Sequence, residues 1–174
     1  MSQISLYDTT IPVLVRALEQ LQKILRKGEQ WTREQGKTDG TLLEARIAED
    51  MHPLTFQVQS ATNTVKDFLT HVGGANDTNL GDNEKTFRQL YDRIEKTIHL
   101  LRGAKRSNFV SADTPFTAKT WPYLDFTAVG YVQTYTLPNF FFHHTTAYDI
   151  LRAKGVPVGK NDFIGTQDVV KWKL

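Results

Sequence analysis

The chain has 174 residues, the size of one ordinary domain with a single sizeable core, and it reads as one domain over residues 1–174. Hydrophobic residues make up 40% and charged residues 23%, a balance that excludes a disordered or membrane-embedded chain. The formal net charge of +2 arises from interspersed signs, which argues against nucleic acid as a partner, and the absence of cysteine excludes disulfides, thiolate metal ligands and a cysteine nucleophile.

The opening stretch, "MSQISLYDTTIPVLVRALEQL", lacks the basic start and continuous apolar run of a signal peptide. No segment has the roughly 20 apolar residues that span a bilayer, so the expectation is a cytoplasmic protein that engages no membrane. Ile11, Leu14, Leu18, Leu21 and Leu25 recur at helical spacing with charged residues between them. They predict a first amphipathic helix that ends around Gly36 to Gly40. Ile47, Met51, Leu54, Val58, Ala61, Val65, Phe68 and Val72 give a stricter stripe for a second helix. Pro53 interrupts it, so this helix either starts near His52 or kinks there.

Residues Gly73 to Asn83, "GGANDTNLGDN", read as a loop. Phe87, Leu90, Ile94, Ile98 and Leu101 mark a third helix, which Gly103 stops. The cations of "RGAKR" (Arg102, Lys105 and Arg106) complement the dipole at its end. Between Ala104 and Thr136 lies a long connection whose aromatic and β-branched content suits a strand or hairpin. There Trp121, Tyr123, Phe126, Tyr131 and Tyr135 either cover one side of the helices or line a pocket. A fourth helix is expected from Pro138 to Lys154, with Gly155 after its end. The fold class is therefore all-α: a four-helix bundle with a long aromatic crossover between helices three and four.

The fourth helix carries the adjacent pair His143 and His144 in "LPNFFFHHTTAYDILR". At 100° per residue, Leu137, Phe140, Ala147, Tyr148 and Leu151 form one apolar arc with His144 near its middle. His144 is then the more buried ring and needs a hydrogen-bond partner. His143 falls at the edge of the arc, where it makes an i, i+4 polar pair with Asn139.

The tract "LPNFFFHHTTAYDILRAKGVPVGKNDFIG", together with "EDMHPLTFQVQSAT" on the second helix, resembles an uncharacterised family of bacteria and fungi within the DinB/YfiT-like superfamily of four-helix bundles. The resemblance implies a metal triad, one histidine from the second helix and a His-x-x-x-His pair from the fourth. It also implies a homodimer packed through helices, and thiol-dependent transfer or isomerisation with zinc or nickel. Carried over residue by residue, the last ligand position falls on His143, nine residues before Arg152. Its partner position is Asn139, and the second-helix position falls on Gln57 or on His52.

One imidazole and two amides suit a first-row metal poorly, although His143 and His52 remain metal candidates and Asp50 or a water could join them. The same residues make a neutral hydrogen-bonding set. His143, Asn139 and Gln57 are accordingly the candidate catalytic residues, with His143 as acid or base. His52, Tyr135, Phe140, His144 and Tyr148 are the candidate substrate contacts. The expectation is a small-molecule enzyme of isomerase, lyase or transferase type, with a role in secondary metabolism. The other reading is a non-catalytic ligand-binding or oligomerising bundle that keeps a degraded metal site. "VGKND" at Val158 to Asp162 lacks the loop of a phosphate cradle and reads as a turn, with Phe163 docking on the bundle. His71 and His99 read as helix-end or surface residues.

Overall fold

The computed structural model describes residues 4–118 and 124–166. Helix α1 (Leu6–Glu34) starts earlier than its apolar stripe, running through Pro12. Its first turn is closed by a capping box, in which Ser5 N–H donates to Asp8 Oδ2 at 2.9 Å and Asp8 N–H donates to Ser5 Oγ at 3.4 Å. Arg106 pairs with the same aspartate. The helix ends at Glu34, just before Gly36, whose positive φ turns the chain away.

A four-residue turn of helix that periodicity does not reveal, α2 (Gly40–Leu43), buries Leu42 and Leu43. Helix α3 (Leu54–His71) settles the question of Pro53 in favour of a start. Proline is the N-cap in an extended conformation, where a missing N–H leaves no gap in the ladder. Ile47 therefore lies outside the helix and is exposed.

Helix α4 (Phe87–Gly103) begins at a Thr86/Gln89 capping box. The loop before it is pinned by a group that sequence reading did not single out. Arg93 and Glu84 have side chains only 2% and 7% exposed, 2.9 Å apart. Arg93 also donates to Thr62 Oγ1 at 2.6 Å, Gln59 Nε2 donates to Glu84 at 2.7 Å, and the Gly81 carbonyl accepts from Arg93.

The long crossover holds the expected hairpin: β1 (Pro115–Ala118) pairs antiparallel with β2 (Leu124–Thr127), Phe116 opposite Phe126. Trp121 and Tyr123 lie outside the described residues. After β2 the chain becomes helical well before Pro138, through α5 (Ala128–Tyr131) and a π turn at Val132–Thr136 into α6 (Leu137–Ala153). In the π turn the N–H of Leu137 reaches back five residues to the carbonyl of Val132. The widened winding makes room for the ring of Pro138, so the proline lies inside one helical rod and does not open it.

Four helices make the bundle, with α3 along α6, α1 along α4, α3 along α4 and α1 along α6. The core is built from the expected stripes: Leu14, Leu18, Leu21 and Leu25 of α1, Val58, Ala61 and Val65 of α3, Leu90 and Ile94 of α4, and Phe140, Ala147 and Leu151 of α6 are all buried. Gly28 permits the close approach of α1, since a Cβ there would lie 3.0 Å from Leu151. Helix α7 (Lys160–Ile164) folds back on α1 through a Lys27–Asp162 ion pair of 2.6 Å. Phe163 docks on α6 as the sequence suggests, against His144 and Tyr148.

Candidate functional site

His143 and His144 are neighbours in sequence, so the helical winding sends them to different sides of α6. His143 is half-buried and turns to α3, where its Nδ1 lies 2.8 Å from Gln57 Oε1. Gln57 is itself buried, and its Nε2 donates to the carbonyl of His52 at 2.9 Å. Because that amide nitrogen is committed to a carbonyl, the oxygen facing the imidazole is an acceptor. The hydrogen therefore sits on Nδ1 and the lone pair on Nε2, a tautomer fixed by the network.

His52, exposed just before α3, stacks on Phe56 with ring centroids 3.9 Å apart. Phe56 in turn meets the His143 ring edge-on at 6.1 Å. Burial lowers the His143 pKa from its ordinary value, and the charge of His52 lowers it further. The result is a neutral imidazole near neutral pH, held at one nitrogen and basic at the other.

Asn139 shares a face of α6 with His143 but does not form the expected pair with it. It reaches across to Thr64, donating from Nδ2 to Oγ1 at 2.7 Å. Thr64 and Phe56 are the members of this cluster that sequence reading missed. Thr64 carried a signal, for it lies seven residues, two turns, beyond Gln57 on the same face of α3.

The remaining candidates do not converge on His143. Tyr135 stacks on the buried Tyr131 at 5.4 Å, among Phe126, Phe116 and His71. His71 thus ends α3 against aromatic rings, whereas His99 is exposed on α4. Phe140 is buried and stacks on His144, and Tyr148 packs on Phe163. His144 is 1% exposed, as the projection indicates, but the hydrogen-bond partner it calls for is missing: neither ring nitrogen has one among the described residues.

The donor chemistry decides whether a divalent metal fits. Zinc and nickel favour imidazole, thiolate and carboxylate ligands. Here one imidazole faces two carboxamides, one bound to His143 and the His52 carbonyl, the other to Thr64. Asp50 is exposed before α3, and no group of three or more His, Cys, Asp or Glu side chains among the described residues is placed to hold a metal ion. The residues present do not fit the triad that the resemblance implies. Among the described residues, no helix is long and apolar enough to cross a membrane.

Comparison with known proteins bears on the whole bundle. A family model described as a domain of unknown function (DUF1993) matches residues 6–164. The structure is similar to the crystal structure of a DinB family member protein from Shewanella denitrificans, with a TM-score of 0.84, 32% sequence identity, and 92% of each chain covered. No curated protein matches the chain.

Proposed function

The chain belongs to the DUF1993 family of unknown function and has the DinB-like four-helix fold, and from that premise we propose that it is a small-molecule enzyme whose His143 acts as a general base. The carrying observation is the Gln57–His143 hydrogen bond, which fixes the Nδ1–H tautomer and leaves the Nε2 lone pair uncommitted to Gln57. A lowered pKa keeps that nitrogen unprotonated at neutral pH, the state a base needs before it accepts a proton.

The chemistry that suits a lone imidazole is proton transfer of isomerase or lyase type. His143 Nε2 takes a proton from a carbon beside a carbonyl, the C–H electron pair passes into the enolate, and Nε2–H returns the proton at a neighbouring atom. The Gln57 carbonyl accepts the Nδ1–H bond throughout and stabilises the imidazolium between the two transfers. The rings of Phe56 and His52 supply a flat surface beside the base for a small organic substrate.

A second reading, a network that only fixes the register of α3 on α6, is favoured by the closed pairing of Asn139 with Thr64. One experiment separates them. The protein is incubated in D2O with a panel of small enolisable carbonyl compounds, and deuterium incorporation is followed by proton NMR for the wild type and His143→Ala. Incorporation that is lost in a variant of unchanged urea midpoint supports the base. Equal incorporation in both proteins, with a stability loss of roughly 1 to 3 kcal/mol in the variant, assigns the network a structural role.

A further inference from the structure

His143 and Asn139 lie one turn apart on α6, and each is held by a side chain of α3 that is itself tied to a backbone carbonyl. Gln57 Nε2 donates to the carbonyl of His52, so Gln57 Oε1 faces His143 Nδ1. Thr64 Oγ1 donates to the carbonyl of Ser60 at 2.8 Å and receives Asn139 Nδ2–H at 2.7 Å. A hydroxyl has one hydrogen, and that of Thr64 is committed to Ser60, so only a donor can face it from Asn139. The amide of Asn139 is therefore turned with Oδ1 away from Thr64, as the ring of His143 is turned with Nε2 away from Gln57. Both relays end in a free lone pair.

Accessibility separates these two atoms from the enclosed ones. Among the described residues, the side-chain polar atoms that are fully enclosed and without a partner belong to Tyr131, Thr136 and His144. His143 Nε2 and Asn139 Oδ1 also lack a partner among the described residues, yet neither is enclosed, so both meet solvent. Cβ atoms at this helical spacing are about 5 to 6 Å apart, a separation that two neighbouring groups of one small molecule bridge.

Resting on the reading of His143 as a base, we propose that the substrate is a 2-hydroxy carbonyl compound, an α-hydroxy ketone or aldehyde, whose hydroxyl group donates to Asn139 Oδ1. The carbon that bears the hydroxyl presents its C–H to His143 Nε2. That proton passes to Nε2, the C–H electron pair forms the C=C bond of an enediolate, and the carbonyl π pair moves onto oxygen. The two lone pairs select this class. A carboxylate brings only acceptors to a site that offers acceptors. An amine in place of the hydroxyl is mostly an ammonium ion at neutral pH, which the charge of His52 beside His143 opposes. A ketone without the hydroxyl leaves Oδ1 unanswered. Thr64 is then a positioning residue, which holds the amide from behind.

The test follows deuterium incorporation from D2O into the CH2 group of hydroxyacetone and of methoxyacetone, whose capped oxygen cannot donate. The ratio of the two rates, divided by the same ratio for free imidazole, is expected to be about ten for the wild type, the worth of one hydrogen bond. It falls to about one in Asn139→Leu, and it falls in Thr64→Val, where the amide is free to turn. Both compounds are also titrated into 15N-labelled wild type while the Asn139 side-chain amide and the His143 Cε1–H resonances are followed, a readout that needs neither turnover nor a folded variant. Hydroxyacetone is expected to shift both resonances at about tenfold lower concentration than methoxyacetone. That binding preference without exchange of either compound supports the hydroxyl site and refutes the base. Equal treatment of the two compounds, a preference that survives Asn139→Leu, or an unmoved Asn139 amide overturns the assignment, and exchange that persists in those cases leaves His143 as the base.

Discussion

Gln57 Oε1 accepts a hydrogen bond from His143 Nδ1 across the seam of α3 and α6, at 2.8 Å, and so sets which nitrogen of the ring keeps its lone pair. A carboxylate in the same place would favour the charged ring. Gln57→Glu should therefore raise the His143 pKa from its lowered position by on the order of one unit. An NMR titration of the imidazole protons checks this, and an unmoved His143 resonance would show that residue 57 does not touch the ring.

His144 makes stability depend on pH. Burial pushes its pKa down to about 4, against 6.5 for an ordinary histidine. Between those two values the unfolded chain binds the proton and the folded chain does not, so stability is complete above about pH 6.5 and falls as pH drops towards 4. The loss reaches about 3 kcal/mol. His143, also lowered, acts in the same direction. Urea unfolding at pH 7 and pH 4.5 should show a steeper loss for the wild type than for His144→Leu, and parallel losses would refute the assignment.

The mismatch with a metal triad is itself testable. Residues 139 and 143 lie one turn apart on α6, and residue 57 faces 143 from α3. Gln57→His with Asn139→His therefore restores three imidazoles to the positions that the resemblance assigns to ligands. The double variant should retain about one zinc per chain through gel filtration, as zinc sites of three imidazoles do, while the wild type retains far less. Stoichiometric zinc in the wild type would contradict the donor argument.

Arg93 and Glu84 form a buried pair whose members depend on each other. Burial opposes the Glu84 charge, yet the hydrogen bonds from Gln59 and Arg93 outweigh it and hold the carboxyl below its usual range. Arg93→Met leaves that carboxylate buried with Gln59 but without its counter-charge, at a cost of about 3 to 5 kcal/mol. Arg93→Met together with Glu84→Gln should recover much of the loss, which urea midpoints of both variants measure. An additive result would mean that the two side chains do not interact.

The main helices were readable because leucines and β-branched residues repeat at three- and four-residue steps, and burial of those stripes is what closes the bundle. His144 was placed in the core by the same projection. The helical run from Ala128 to Thr136 was hidden, since "AVGYVQTYT" is rich in residues that favour strands and the proline after it looks like a beginning. Its helicity comes from packing: Tyr131 is buried against Phe116, Phe126 and His71. At the candidate site, His143 was singled out by the helical projection and Gln57 through resemblance, while the turn of Asn139 towards Thr64 depends on the register of two helices distant in sequence. Arg93 escaped notice because its buried counter-charge, Glu84, lies in a loop without periodicity.

The π turn at Val132–Thr136 has a bearing on how this architecture can vary among relatives. A π turn holds one residue more than the regular helix it interrupts, and one residue is 100° of rotation. It works as a phase adjuster in a single rod, letting Tyr131 address the hairpin while His143 and His144 keep their own bearings. Deleting one residue there would swing the hairpin and its aromatic cover around the rod and leave both histidines where they are. The hairpin aromatics and the two histidines are thus set on either side of the turn, and length changes there are a route by which one could diversify while the other stays fixed.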